Sequence, residues 1–171
     1  MKIGYIYDLL SFVVLILLQV LLFNNIHLFG IAMPVFYIYF LIKLPLGRSP
    51  FFVVISAFAM GLIIDIFMNT PGMNAAATTL VATFRKPILS LFFPREEYED
   101  FVPSLHIAAG PFIRFCFFFV ILHQTLLFFI ESFTFFNVIN TLLRIAASSV
   151  LTILLIITID SLIFNRKKSE Q

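Results

Sequence analysis

Tryptophan is absent from the chain, cysteine occurs once, and Asp, Glu, Lys and Arg together make up only 12% of its 171 residues. Soluble domains carry about 25% charged residues, so a charge content this low removes the solvated exterior that a water-soluble fold needs. The single cysteine, Cys116, allows neither an intrachain disulfide framework nor a thiolate metal cluster. His27, His106 and His123 fall in three separate segments, without the spacing of a local histidine metal motif. A phosphate-cradling Gly-rich loop, a Gly-x-Ser-x-Gly nucleophile elbow and a paired acidic motif for metal and diphosphate are all missing. The basic residues are too few and too scattered for a nucleic-acid footprint. These absences argue against an enzyme, a resident metal or cofactor, and a nucleic-acid partner.

What is present is apolar. Hydrophobic residues make up 61% of the chain, 24 of them phenylalanine, which points to an integral membrane protein of class all-α. Six apolar segments can be marked, at about Leu9–Phe23, Ile31–Leu44, Phe51–Met68, Met73–Phe93, Pro111–Ile130 and Leu142–Phe164. Runs of about 18 or more apolar residues fit spanning helices, and the lack of period-2 alternation argues against a membrane barrel. The expectation is a single membrane domain, residues 1–171, built as a compact bundle of six transmembrane helices. The second segment is the shortest and has Pro34 near its start, so a re-entrant course is its alternative. The first run follows only Lys2 and precedes no small-residue cleavage site, which reads as a retained helix.

Charge placement orients the bundle. If all six segments span, one side receives Lys2, Lys43, Arg48, Arg85, Lys86, Arg95, Arg114, Arg166, Lys167 and Lys168, and only Arg144 falls toward the other. The positive-inside rule then puts both termini, the 94–110 loop and the 165–171 tail in the cytoplasm. The acidic run Glu96, Glu97, Glu99 and Asp100 reads as a solvated loop or a docking site for a cytoplasmic partner.

A few polar residues interrupt the apolar runs. Asp65 lies about 14 residues along the third segment, in the outer third of the bilayer, where a carboxylate must face protein, pair or be protonated. Ala57, Gly61 and Asp65 are spaced four apart, so a small-residue groove leads up one helix face to the acid. Thr70 and Pro71 read as the cap and first position of the fourth helix, giving a tight helical hairpin. Arg144, near the outer start of the sixth segment, is the favoured partner of Asp65, with His123 and Glu131 at the same level as possible walls of an outward-facing pocket. Asp8 and Gln19 share a face of the first helix. Asp160 is expected at the cytoplasmic interface facing the basic tail, and Arg85 and Lys86 are expected to snorkel to headgroups.

Together these residues resemble the MreD family of rod shape-determining inner-membrane proteins. The resemblance rests on Gln19 late in the first helix, Pro34 opening the second, the Leu-Pro-Leu-Gly-Arg-Ser-Pro turn into the third, and above all Gly61-x-x-x-Asp65, a turn, and Gly72 ahead of small residues. It covers essentially the whole chain, although the gap from Asp65 to Gly72 is about one residue shorter and the 94–110 loop longer than the family pattern. The resemblance implies a non-enzymatic scaffold of the peptidoglycan elongation machinery in the bacterial inner membrane. Such a scaffold would bind the bitopic protein MreC and link MreB filaments to the RodA glycosyltransferase and its penicillin-binding transpeptidase. It also implies likeness to the S components of energy-coupling-factor transporters, whose vitamin binding is the alternative function.

Overall fold

The computed structural model describes the backbone of residues 2–25, 32–93, 101–132 and 137–169, and the side chains of 4–24, 32–93, 101–132 and 137–163. Lys2, His27, Arg95, the acidic run from Glu96 to Asp100 and the tail cations Arg166, Lys167 and Lys168 therefore lie outside the described side chains. Among the described residues the chain is all helical, with no β-sheet. Helix α1 spans Lys2–Leu21, α2 Tyr39–Lys43, α3 Pro50–Met68, α4 Met73–Phe92, α5 Ala109–Glu131 and α6 Val138–Ser169; 3₁₀ turns occupy Phe23–Asn25 and Phe36–Ile38.

Four stretches, Gly4–Leu21, Pro50–Met68, Ala109–Glu131 and Val138–Ile163, are long and apolar enough to cross a bilayer. Their exposed side chains are large and apolar, among them Phe51, Ile66 and Ile139, each more than 70% exposed. That is the inverse of a soluble protein and the signature of a membrane protein. Helix α4 is as long as α1 but carries Arg85 and Lys86, and is not among the four.

Helices α3, α4, α5 and α6 pack in sequence order, each against the next, while α1 lies against α3 and against the short segment that holds α2. The largest departure from the sequence reading is at Ile31–Leu44. Ala32–Val35 is not helical; the chain then forms a single 3₁₀ turn and the five-residue α2. Pro34 has no N–H and disfavours helical backbone at Met33, so a regular helix cannot start upstream of it. The segment is also the most deeply buried in the molecule: Val35 to Ile42 are all 0–6% exposed. Hydropathy alone reads such a run as a regular lipid-facing helix, but here it is the core around which the long helices stand.

Its direction follows from its contacts. Met33 N donates to Ser148 Oγ near the start of α6, whereas the Lys43 ammonium lies 2.7 Å from Asp160 Oδ1. Twelve residues of helix separate Ser148 from Asp160, a rise of about 18 Å. On the other flank Gln19 meets Phe36, and Arg48, just beyond α2, is 2.8 Å from Asp8. Asp8 and Gln19 thus share a face of α1, as expected, but each faces a different part of this segment. Helix α1 also starts seven residues before its apolar run, because Arg48 covers Asp8 and its guanidinium stacks 4.0 Å over the Tyr5 ring.

The described partners of Asp160 come from α2 and the segment before α5, and the basic tail expected opposite it lies outside the described side chains. Its carboxylate, 3% exposed, accepts from the Lys43 ammonium, the Tyr39 hydroxyl at 2.9 Å, the Ser104 hydroxyl at 3.1 Å and Leu105 N at 2.8 Å. Lys43 donates onward to Pro103 O at 2.8 Å. The part of the 94–110 loop that begins at Phe101 is consequently docked against α2 and α6 rather than solvated, and Leu46 N donates to Phe101 O at 2.9 Å. Replacing Asp160 by Ala strands a three-quarters-buried ammonium and frees this segment. The variant is expected to lose about 2–3 kcal/mol of stability and to be cleaved faster between residues 101 and 108. Thermal unfolding in mild detergent with limited proteolysis measures both, and an unchanged midpoint would refute the role given to the pair.

Candidate functional site

The Gly61–Asp65 stretch is built by the close crossing of α3 and α4. Val53, Ala57, Gly61 and Asp65 are all buried on one side of α3. A Cβ added at Gly61 would lie 2.6 Å from Ala75 Cα, 2.6 Å from Asn74 O and 2.7 Å from Ala75 N. The backbone of the first turn of α4 rests directly on Gly61, and no other residue permits that approach. One turn further along, Asp65 meets the amides that this approach presents. Oδ1 accepts from Asn74 N at 3.0 Å, Asn74 Nδ2 at 2.9 Å and the Thr70 hydroxyl, and Oδ2 accepts from Ala75 N at 2.8 Å.

Asn74 and Ala75 are the second and third residues of α4, whose N–H groups have no partner within the helix. The residue at the cap position is Gly72, with no side chain to offer. Asp65 therefore performs the capping role from the preceding helix and places its negative charge at the positive end of α4. This displaces the expected Thr70–Pro71 cap. Thr70 instead donates its hydroxyl to Asp65, and Pro71 belongs to the turn. The turn needs two left-handed residues, Asn69 at φ 54° and Gly72 at φ 77°. At Gly72 a Cβ would touch nothing within 4 Å, so backbone conformation and not space selects the glycine.

The expected Asp65–Arg144 pair is not formed. The Asp65 oxygens are occupied by four donors, and Arg144 Nη2 binds Glu131 at 3.0 and 3.3 Å while its guanidinium lies 4.6 Å over the Phe128 ring. Glu131 closes α5 and Arg144 opens α6, so the pair spans one short connection. The level of the two residues was legible from the sequence, but their partners were not.

Gln19 and Pro34, expected as contact residues, do come together. Gln19 Nε2 donates to Pro34 O and to Asn24 Oδ1, both at 3.0 Å, while Oε1 accepts from Phe36 N at 2.7 Å and Tyr37 N at 3.2 Å. One amide thereby satisfies three backbone groups of the broken segment. Two further partners come from α6. Ser148 Oγ accepts from Met33 N at 3.0 Å and Thr152 Oγ1 from Val35 N at 3.1 Å. Their spacing of four along a helix matches the spacing of two along an extended chain. The stretch Ser148-Ser149-Val150-Leu151-Thr152 carried that signal, and the sequence reading passed over it. Arg85 is likewise buried rather than snorkelling: Nε donates to Leu41 O at 2.6 Å and Nη2 to Leu44 O, closing the end of α2.

Polar groups continue inward from the Asp65 turn. The Tyr37 hydroxyl donates to Asn74 Oδ1 at 3.0 Å and sits 3.1 Å from His123 Nε2, with the Thr78 hydroxyl 3.3 Å from it. With the phenol proton given to Asn74, Nε2 carries the imidazole hydrogen and donates to the phenol oxygen. That assignment agrees with Nδ1 having no partner among the described residues. Between this chain and the Glu131–Arg144 pair lies a cavity of about 240 Å³, lined by Gln19, Tyr37, Asn74 and the two ion-pair residues with Met33, Met68 and Met73 among its apolar walls. No group of three or more His, Cys, Asp or Glu placed to hold a metal occurs among the described residues.

Comparison of the chain with protein-family models, curated proteins and solved structures finds no match. The site is therefore read from its own chemistry, which is helix capping, backbone satisfaction and one ion pair at the mouth of a small cavity.

Gly61→Ala brings a methyl group onto backbone at 2.6 Å and must part the two helices, a cost of about 1–3 kcal/mol, with Gly61→Leu worse. Asp65→Asn keeps the shape but gives up charge-assisted bonds to two amides, about 1–3 kcal/mol. Thermal unfolding in detergent measures both, and a wild-type midpoint for Gly61→Leu would contradict the close crossing. A double-mutant cycle separates the ion pairs: Glu131→Gln with Arg144→Gln should couple, and Asp65→Asn with Arg144→Gln should be additive within about 0.5 kcal/mol. Coupling in the second cycle alone would restore the pairing rejected above.

Proposed function

We infer that the chain is a non-enzymatic membrane adaptor of the MreD kind. In this reading it crosses the bacterial inner membrane six times with both termini in the cytoplasm, binds a bitopic MreC-like protein, and helps link a RodA-like glycosyltransferase and its penicillin-binding transpeptidase to MreB filaments. One observation carries the reading. The residues on which the resemblance rests are partners of one another in space, Gln19 with Pro34, and Gly61 and Asp65 with the turn of α4 behind Gly72. A constellation shared with a family of adaptors is thus spent on closing the bundle and presents no reacting group to a substrate. The course of residues 33–43 along the core supports six traversals, and Lys43 and Arg48 then fall on the side of the N-terminus, in keeping with the charge bias.

The 240 Å³ cavity favours a second reading, a substrate-binding S component of a vitamin transporter. Its polar lining is already engaged, Gln19 on backbone, Asn74 on Asp65 and Tyr37, and Arg144 on Glu131, which leaves little to grip a polar ligand. The adaptor reading is preferred on that ground.

Affinity purification of the tagged full chain from a rod-shaped host is expected to bring MreC-like and RodA-like proteins with it. Recovery of no elongation protein would defeat the proposal, and stoichiometric capture of a small vitamin would install the S-component reading. In intact cells, cysteines introduced at Asn25 and Ser132 should react with an impermeant thiol reagent and one at Ser104 should not. Labelling at Ser104 would overturn the topology.

A further inference from the structure

A second, larger hollow lies at the opposite end of the bundle from the Asp65 turn, where the chain enters α3 and α4 ends. It has a volume of about 780 Å³, within the range of about 300–1,000 Å³ common for ligand sites, and is lined by residues 46–50 together with Lys86, Pro87, Leu89 and Ser90. A smaller hollow of about 80 Å³ shares Leu46, Arg48, Pro50 and Lys86 with it and reaches Arg85.

The charges around these hollows do not balance. Arg48 is paired with Asp8. Arg85 is 3% exposed, yet its guanidinium meets only the carbonyls of Leu41 and Leu44, and no carboxylate among the described residues pairs with it. Lys86, the next residue, is exposed and has no ion pair or hydrogen bond among the described residues. The nearest described acids are committed elsewhere, Asp8 to Arg48 and Asp160 to Lys43. Among the described residues, then, two cations without a paired carboxylate border these joined hollows, Lys86 lining both and the buried Arg85 the smaller one. The exposed hydroxyl of Ser49, which also lines the groove, makes no cap bond to α3. A buried cation without a counter-charge is costly, and the groove admits an anion that would supply one.

The surroundings identify the anion's source. Phe51, Phe84 and Leu91, on the two helices that frame the groove, are 76%, 51% and 75% exposed. Apolar surface of that extent beside a cationic pocket matches a molecule with a phosphate head and hydrocarbon tails better than a free anion. We propose that the groove between the start of α3 and the end of α4 binds the headgroup phosphate of an anionic phospholipid, with Lys86 and Arg85 supplying the charge and the apolar faces of α3 and α4 holding the acyl chains. The proposal needs only the membrane location of the chain and stands whether or not the adaptor reading does.

Native mass spectrometry of the full chain in mild detergent tests it, with phosphatidylglycerol and phosphatidylcholine of identical acyl chains as probes. One phosphatidylglycerol should be retained in preference to phosphatidylcholine. Lys86→Gln, which breaks no hydrogen bond or ion pair among the described residues, should weaken that retention about fivefold, the effect of one cation near an anionic surface. Arg114→Gln, at an exposed position on α5, should leave it unchanged. Equal retention of the two lipids, an unaffected Lys86→Gln variant, or an equal loss with Arg114→Gln would each overturn the site. Displacement of the lipid by excess inorganic phosphate would show a site for the free anion and overturn the lipid assignment.

Discussion

A peptide N–H or C=O without a partner is tolerated poorly in a hydrocarbon medium, at a cost of several kcal/mol by transfer measurements. The rest of this structure depends on that constraint, because its core is a segment that cannot satisfy itself. Residues 32–44 pass through the middle of the bundle as extended chain, a 3₁₀ turn and one short helix, and seven of their backbone groups are met by side chains from elsewhere. Gln19 of α1, Ser148 and Thr152 of α6 and Arg85 of α4 each donate to it or accept from it. The positions of three long helices are thereby tied to one stretch of irregular backbone, with hydrogen bonds rather than apolar packing fixing the register.

The same logic governs the carboxylates. Asp65 satisfies the open end of α4, and Asp160 gathers an ammonium, two hydroxyls and an amide. Each acid inside the bundle acts as a fastener between elements that are separate in the chain. Among the described residues the polarity inside the bundle is thus spent largely on joining its elements. The two exceptions are at opposite ends, a small cavity under the Glu131–Arg144 pair and a cationic groove beside Lys86.

The legible part of the fold is the part set by local pattern. Four long apolar runs and their turn residues marked the helices within a few residues at most of their ends, and the four-residue spacing of Ala57, Gly61 and Asp65 marked a packed face. Partner choice was not legible. Asp65 looked toward a distant arginine because a lone acid suggests a cation, whereas its partners are amides 9 and 10 residues away, exposed by a turn that depends on left-handed backbone at Asn69 and Gly72. Nothing near Arg85 in the sequence announces that the carbonyls of Leu41 and Leu44 end at its level. The second apolar run gave no sign that it is largely non-helical and faces protein: hydropathy measures removal from water, and a segment buried in protein is as dry as one buried in lipid.

The local closure of the α3–α4 hairpin bears on how the chain is made. An aspartate inside an apolar helix raises the cost of leaving the translocation channel when it must enter lipid bare, by about 2.5–3.5 kcal/mol at the helix centre and by less toward the end where Asp65 lies. Every donor to Asp65 lies within ten residues downstream of it. Once Ala75 has been synthesised, every one of these donors and the backbone that meets Gly61 are present in the chain. Helices α3 and α4 are therefore suited to enter the bilayer as a preassembled pair, with the pair rather than the single helix as the unit of insertion, and with the weakly apolar α4 carried in by its neighbour.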